Sequence, residues 1–207
     1  MLLFSRTNLS NSNLLSIPEI IEILAVIFNL IYLVLLVKEN IWCWPNGILA
    51  SILSIYLFVD AKLYSEAILY GFYIVIGVYG WLVWAGVLSS NKSIRIKTWR
   101  IKPHLFALAA GIIGLLGLGY FFNTQTDADK PYYDAFSTSF SFVASFMEAH
   151  KVLSAWIYWI VLNVFSIWLY YSKNLSIYSA LMVIYAIASV WGYIEWKKKL
   201  RNQSNNG

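Results

Sequence analysis

Apolar runs of about twenty residues, separated by short polar segments, recur along the chain at 18–37, 41–59, 63–87, 104–122, 132–149, 153–171 and 175–194. An α-helix needs roughly 20 such residues to cross the hydrocarbon core of a bilayer. The fifth run, with the serine-rich stretch FSTSFSFVAS, is the least apolar. The pattern predicts an all-α membrane protein with seven transmembrane helices and short connections.

Composition agrees. The chain is 60% hydrophobic and 12% charged, against about 25% charged in soluble domains. The opening MLLFSRTNLSNSNLLS has one arginine and no small-residue cleavage pattern, so residues 1–17 are expected to be a short N-terminal segment rather than a cleaved signal. Cys43 is the lone cysteine, which leaves no intrachain disulfide and suits a small packing residue.

Charge sets the expected orientation. Lys38, Lys92, Arg95, Lys97, Arg100, Lys102, Lys151, Lys197, Lys198, Lys199 and Arg201 fall on one side of the seven runs; Arg6, Lys62, Lys130 and Lys173 fall on the other, with Asp60, Asp127 and Asp129. The positive-inside rule puts the first set in the cytoplasm. The N-terminus is then outside, 88–103 is a basic cytoplasmic loop and 197–207 a basic cytoplasmic tail. The net charge of +5 reports this topology, and no nucleic-acid surface is expected.

A shift of 112 residues brings the two ends of the chain into register. Trp44 falls on Trp156, Ser54 on Ser166, Tyr73 on Tyr185, Gly80 on Gly192 and Trp84 on Trp196, with 11 identities in the 44 pairs of 41–84 and 153–196. Glu22 falls on Asp134 and Phe28 on Phe140. The expected architecture is therefore a three-helix repeat over 18–87, a linker helix over 104–122 and a second three-helix repeat over 132–196. An odd linker makes the repeats parallel. The linker carries glycines at 111, 114, 117 and 119, as a helix packing closely through small residues would. Parallel repeats with a substrate between the halves are one transporter design.

The chemistry of an enzyme is missing from the pattern. His104 and His150 lie at run ends without a second histidine or a cysteine at ligand spacing, so neither a metal site nor a cofactor is expected. The serines of the fifth run have no histidine placed as a base; they bond to carbonyls one turn back or to neighbouring helices, or else Ser137 or Ser141 faces a cavity. GIIGLLGLG lacks the lysine of a phosphate loop.

Aromatic surface is what remains. Trp42, Trp84, Trp99, Trp191, Tyr193 and Trp196, at run ends, are expected in the interfacial belts. A belt role stays open for Trp44, Trp156 and Trp159. In SAWIYWIVLN, however, Trp156, Trp159 and Asn163 share one helix face, and Asn163 falls near mid-span. An amide there faces the bundle interior or a wet cavity. It either ties two helices together or reads the polar edge of a planar ligand stacked on Trp159. Glu22, Glu66 and Asp134, near the outer ends, are solvated carboxylates or the acidic mouth of a vestibule for a cation. Aromatic faces attract cations by up to ~2 kcal/mol when desolvated.

WPNGILASILSIYLF, KLYSEAILYGFYIVIGVYGWLVW and WIYWIVLNVFSIWLYYSKNL resemble, in order and spacing from residue 18 to 196, the PnuC family of bacterial vitamin transporters. The resemblance implies a 3+1+3 fold like a doubled relative of the SWEET carriers, in the cytoplasmic (inner) membrane. It also implies a homotrimer that moves unphosphorylated vitamin by facilitated diffusion, with a cytoplasmic kinase trapping it. Nicotinamide riboside is the expected substrate and thiamine the alternative; riboflavin is carried in another branch. Trp156, Trp159 and Asn163 match the family's binding motif, with Asn46, Ser51, Tyr70 and Tyr73 as candidates from the first repeat. In EAILYGFY the family typically has Gln where Tyr70 stands, so a ring replaces an amide there. A receptor or scaffold that binds without transport is the rival class; the short loops count against it.

Overall fold

The computed structural model describes residues 16–60, 64–88, 94–126, 130–172 and 176–205. Of the charges invoked above, Arg6, Lys62, Lys92, Asp127, Asp129 and Lys173 lie outside the described residues, as does the side chain of Glu66. The chain divides into two compact units, Met1–Ala85 and Gly86–Gly207.

The first unit holds α1 (Ile17–Val37), α2 (Cys43–Asp60) and α3 (Tyr64–Trp84), with α2 packed on both others. Pro18 in the first turn of α1 has no N–H to leave unpaired. The Ser16 backbone N–H donates to the Glu19 carboxylate at 2.8 Å, as in a capping box. At the other end Glu39 turns left-handed (φ 62°). Its N–H donates to Leu36 O and that of Asn40 to Leu35 O, both at 2.9 Å, a Schellman cap.

The second unit holds α4 (Ile101–Gln125), α5 (Pro131–Ala149), α6 (Ala155–Ser172) and α7 (Ser176–Asn205), packed in sequence order. α5 ends on the same cap. Lys151 is left-handed (φ 52°), and the N–H groups of Lys151 and Val152 donate to Glu148 O and Met147 O at 2.9 Å. The four backbone groups of one cap lie 112 positions from those of the other. Beyond this cap Lys97 pairs with the α5–α6 turn, donating to Lys151 O at 3.0 Å and accepting from Leu153 N–H at 2.9 Å. The described part of the basic loop is thereby tied down, with Ile96 buried.

Among the described residues, six of the seven helices are long and apolar enough to cross a membrane. α5 is the exception because its serines and carboxylates lower its hydropathy; Ser139, Ser141, Ser145 and Glu148 among them are turned inward and buried. Gly111, Gly114 and Gly119 of α4 lie against Phe140, Ser139 and Tyr132 of α5, whereas Gly117 faces open space. Lipid gives helices no hydrophobic reason to associate, so close approach and van der Waals contact must hold them. α7 runs well past 194 and absorbs most of the expected tail. Lysine, leucine and arginine are good helix formers, and Lys198 pairs with Glu195 at 3.0 Å.

Two expected belt residues are core residues instead. Trp84 is buried and Trp196 is 0% exposed. Trp84 meets Trp44 edge-to-face with centroids 5.5 Å apart and planes at 88°; Trp196 meets Trp156 at 5.4 Å and 88°. Such a pair adds about 0.5–1.5 kcal/mol beyond the area it buries. Trp44 also covers Gly80, and Trp156 covers Gly192, so closely that a Cβ on either glycine would overlap the indole.

Candidate functional site

The face of α6 singled out above divides between two neighbours. Trp156 turns to α7, buried over Gly192 and against Trp196. Trp159, half-buried, turns to α5: its indole N–H donates to Glu148 Oε2 at 2.7 Å, and its ring packs on the cluster of Phe140, Ala144 and Leu162. The two indoles therefore have different surroundings. Among the described residues the buried N–H of Trp156 has no hydrogen-bond partner, and neither has that of Trp44.

Asn163 is 8% exposed and lies one turn beyond Trp159. Its amide N–H donates to Ser189 Oγ of α7 at 3.0 Å, and the Ser189 hydroxyl donates to Tyr185 O at 2.8 Å. The amide thus ties α6 to α7 through Nδ2, while no hydrogen bond among the described residues engages Oδ1. A further turn on, Ser166 is buried at 3.5 Å from Ser137 of α5. The stripe Trp159, Asn163, Ser166 is a polar seam in an otherwise apolar helix.

The 112-residue register separates what the units share from what they do not. Trp44, Gly80 and Trp84 reproduce Trp156, Gly192 and Trp196 in both identity and geometry. Where the second unit has Trp159, Asn163, Ser189 and Glu148, the first has Gly47, Ser51, Gly77 and Leu36. Gly47 is covered by Tyr32, whose counterpart is Ala144, so bulk has changed sides. The shared residues hold helices together; the indole, amide and carboxylate of Trp159, Asn163 and Glu148 have no equivalent at the matching positions of the first unit.

In the first unit the candidates make local contacts. Asn46 donates its amide N–H to Trp42 O and Ser51 its hydroxyl to Gly47 O, each at 2.8 Å one turn back. Tyr70 and Tyr73 meet edge-to-face at 5.6 Å, and Tyr70 tilts against Phe58 at 5.2 Å. These three rings form one aromatic cluster. Asp134 lies in the first turn of α5 and Glu22 in α1, both half-buried.

Two participants escaped the sequence pattern. Glu148 sits in the last turn of α5, where a carboxylate is ordinarily solvated, and only the tertiary structure reveals the indole upon it. His104, expected simply at a run end, stands in the first turn of α4, with Nε2 at 3.3 Å from Ser154 Oγ and Nδ1 at 3.4 Å from Tyr158 O–H of α6. Among the described residues no three of His, Cys, Asp and Glu are grouped to hold a metal ion. An apolar groove of about 570 Å³ between α4 and α5, lined by Ser139, Gly114 and Met147 among others, contains none of the predicted site residues.

Comparison with known proteins places this arrangement. The family described as nicotinamide mononucleotide transporter matches residues 19–198. The riboflavin/roseoflavin transporter RibM of Streptomyces davaonensis is 22% identical over 86% of this chain and 84% of its own. The nicotinamide riboside transporter PnuC of Neisseria mucosa is 26% identical over 94% of this chain and 75% of its own, and that of Escherichia coli 24% over 89% and 88%. The crystal structure of the vitamin B3 transporter PnuC shares the fold, with a TM-score of 0.70 at 22% identity over 88% of this chain and 82% of that one. With its apolar helices and a match running nearly end to end, the chain belongs to the nicotinamide mononucleotide transporter family, the PnuC family of multi-pass membrane transporters.

Proposed function

We propose that the chain takes up a small unphosphorylated vitamin with a flat cationic ring, nicotinamide riboside before thiamine, across the bacterial cytoplasmic membrane. The observation that carries this reading is the confinement of Trp159, Asn163 and Glu148 to the second unit, while the residues that pack the helices recur in both. Trp159 offers a ring face, and the carbonyl of Asn163 offers an acceptor to a carboxamide or aminopyrimidine edge. Trp156, buried against α7, and Tyr70, Tyr73, Asn46 and Ser51 of the first unit are further substrate-binding candidates on the family resemblance alone. The equal caps and the equal Trp–Gly–Trp clusters support a parallel 3+1+3 repeat.

Transport is by facilitated diffusion, and accumulation depends on phosphorylation by a cytoplasmic kinase. The protein works as a homotrimer with its N-terminus outside and its C-terminus in the cytoplasm, as the distribution of basic residues supports. Thiamine is the second reading, favoured by Tyr70, whose ring enlarges the aromatic cluster with Phe58 and Tyr73. Counterflow into proteoliposomes tests the proposal, with labelled nicotinamide riboside, thiamine and riboflavin run in parallel. Exchange of nicotinamide riboside is expected; saturable binding without exchange would make the protein a receptor.

A further inference from the structure

Glu148 is 2% exposed, in the last turn of a helix buried against α4 and α6, and it accepts the Trp159 indole N–H at 2.7 Å. The counterparts in the first unit are Leu36 and Gly47, which can make no such bond. Phe140, Ala144 and Leu162 pack against the same indole, so the ring is held by an apolar contact and by one directional polar contact. A hydrogen bond to a carboxylate is shorter and about twice as strong as a neutral one. Drawing on the N–H proton, the carboxylate pushes electron density into the bicyclic ring and makes its face more negative. That face is what a cation feels, because cation–π attraction is electrostatic and grows with desolvation. A neutral ring stacked on the same face gains little from the change.

We propose that Glu148 is the positioning and specificity-determining residue of the ring site, selecting through Trp159 a cationic ring over a neutral one of the same shape. The inference rests on the reading of Trp159 as the platform. Glu148→Gln keeps the size and one acceptor and removes the charge. Calorimetry on folded, detergent-solubilised protein compares two probes, nicotinamide riboside and its 1,4-dihydro form, which keeps the ribose and carboxamide and loses the ring charge. The ratio of their dissociation constants is expected to shift roughly fivefold against the cation, with the neutral probe nearly unaffected. An unchanged ratio, including equal weakening of both probes, would overturn the proposal, because a merely structural role moves both together.

If Glu148→Gln fails to fold, benzothienylalanine at Trp159 keeps the bicyclic ring without the N–H donor, and the same ratio decides. Trp159→Ala separates the two readings. Wild-type binding of both probes in that variant removes the platform itself. Weakened binding there, with an unchanged ratio in Glu148→Gln, overturns only the role of Glu148.

Discussion

Asn163 donates its amide N–H to the Ser189 hydroxyl at 3.0 Å, joining α6 to α7 at a buried position. The pair gives the amide two separable duties, a bond between helices through Nδ2 and an acceptor through Oδ1. Ser189→Ala removes only the first and is expected to cost about 1 kcal/mol of stability while leaving vitamin binding close to wild type. Asn163→Leu removes both, and should weaken binding by ~1–3 kcal/mol as well. Thermal unfolding and calorimetry on the two variants check this; equal binding losses would make the amide purely structural.

Trp159→Ala is expected to weaken binding of a cationic vitamin by about 1–2 kcal/mol, roughly tenfold or more in dissociation constant. Its control is an exposed indole. Trp42, 63% exposed, serves; Trp196 does not, since it supports Trp156. Wild-type affinity in Trp159→Ala would move the site elsewhere.

The contrast between those two tryptophans shows what the sequence could convey. The 112-residue register was legible because tryptophan and glycine are landmarks: each pairs a large ring with the absence of a Cβ. Their contact was not legible, because a tryptophan at the end of an apolar run has the same signature whether it faces headgroups or another helix. Glu148 was hidden for the same reason, since a carboxylate near a helix end is ordinarily solvated. The inward turn of the α5 serines needed α4 and α6 in place, and the end of α7 was obscured by reading charge as a tail. Asn163 stood out because an amide at mid-span has no comfortable exposed position.

Gly80→Ala and Gly192→Ala should each destabilise the protein by about 1–3 kcal/mol, the usual range for overpacking, because the new methyl meets Trp44 or Trp156. Trp156→Phe withdraws ring volume from Gly192. The double variant Gly192→Ala with Trp156→Phe is expected to lose less than the sum of the single changes, a coupling that fluorescence-detected thermal unfolding measures. Additive losses would mean that the indole yields freely.

No carboxylate stands at mid-span with a basic partner in the sequence, the arrangement that marks proton relays. Liposomes containing the protein and no kinase are therefore expected to equilibrate vitamin without concentrating it, under an imposed proton or sodium gradient as without one. Accumulation above equilibrium in that assay would establish ion coupling.

Glu39 and Lys151 hold left-handed conformations that cost a side-chain-bearing residue roughly 1–2 kcal/mol. A β-branched residue suits that conformation least. Glu39→Val is accordingly expected to lower the unfolding temperature and Glu39→Gly to hold or raise it, and Val is expected to be the worse of the two at Lys151 as well.

The length of α7 has a practical consequence. Its 30 residues extend about 45 Å at the α-helical rise, whereas the hydrocarbon core is about 30 Å thick. Even allowing for tilt, the Lys- and Arg-bearing end projects as a continuous rod. A fluorescent protein or crystallisation chaperone joined in helical register at Ser204 would turn with the transporter as one object. That rigid handle would make a protein of this size tractable for single-particle imaging.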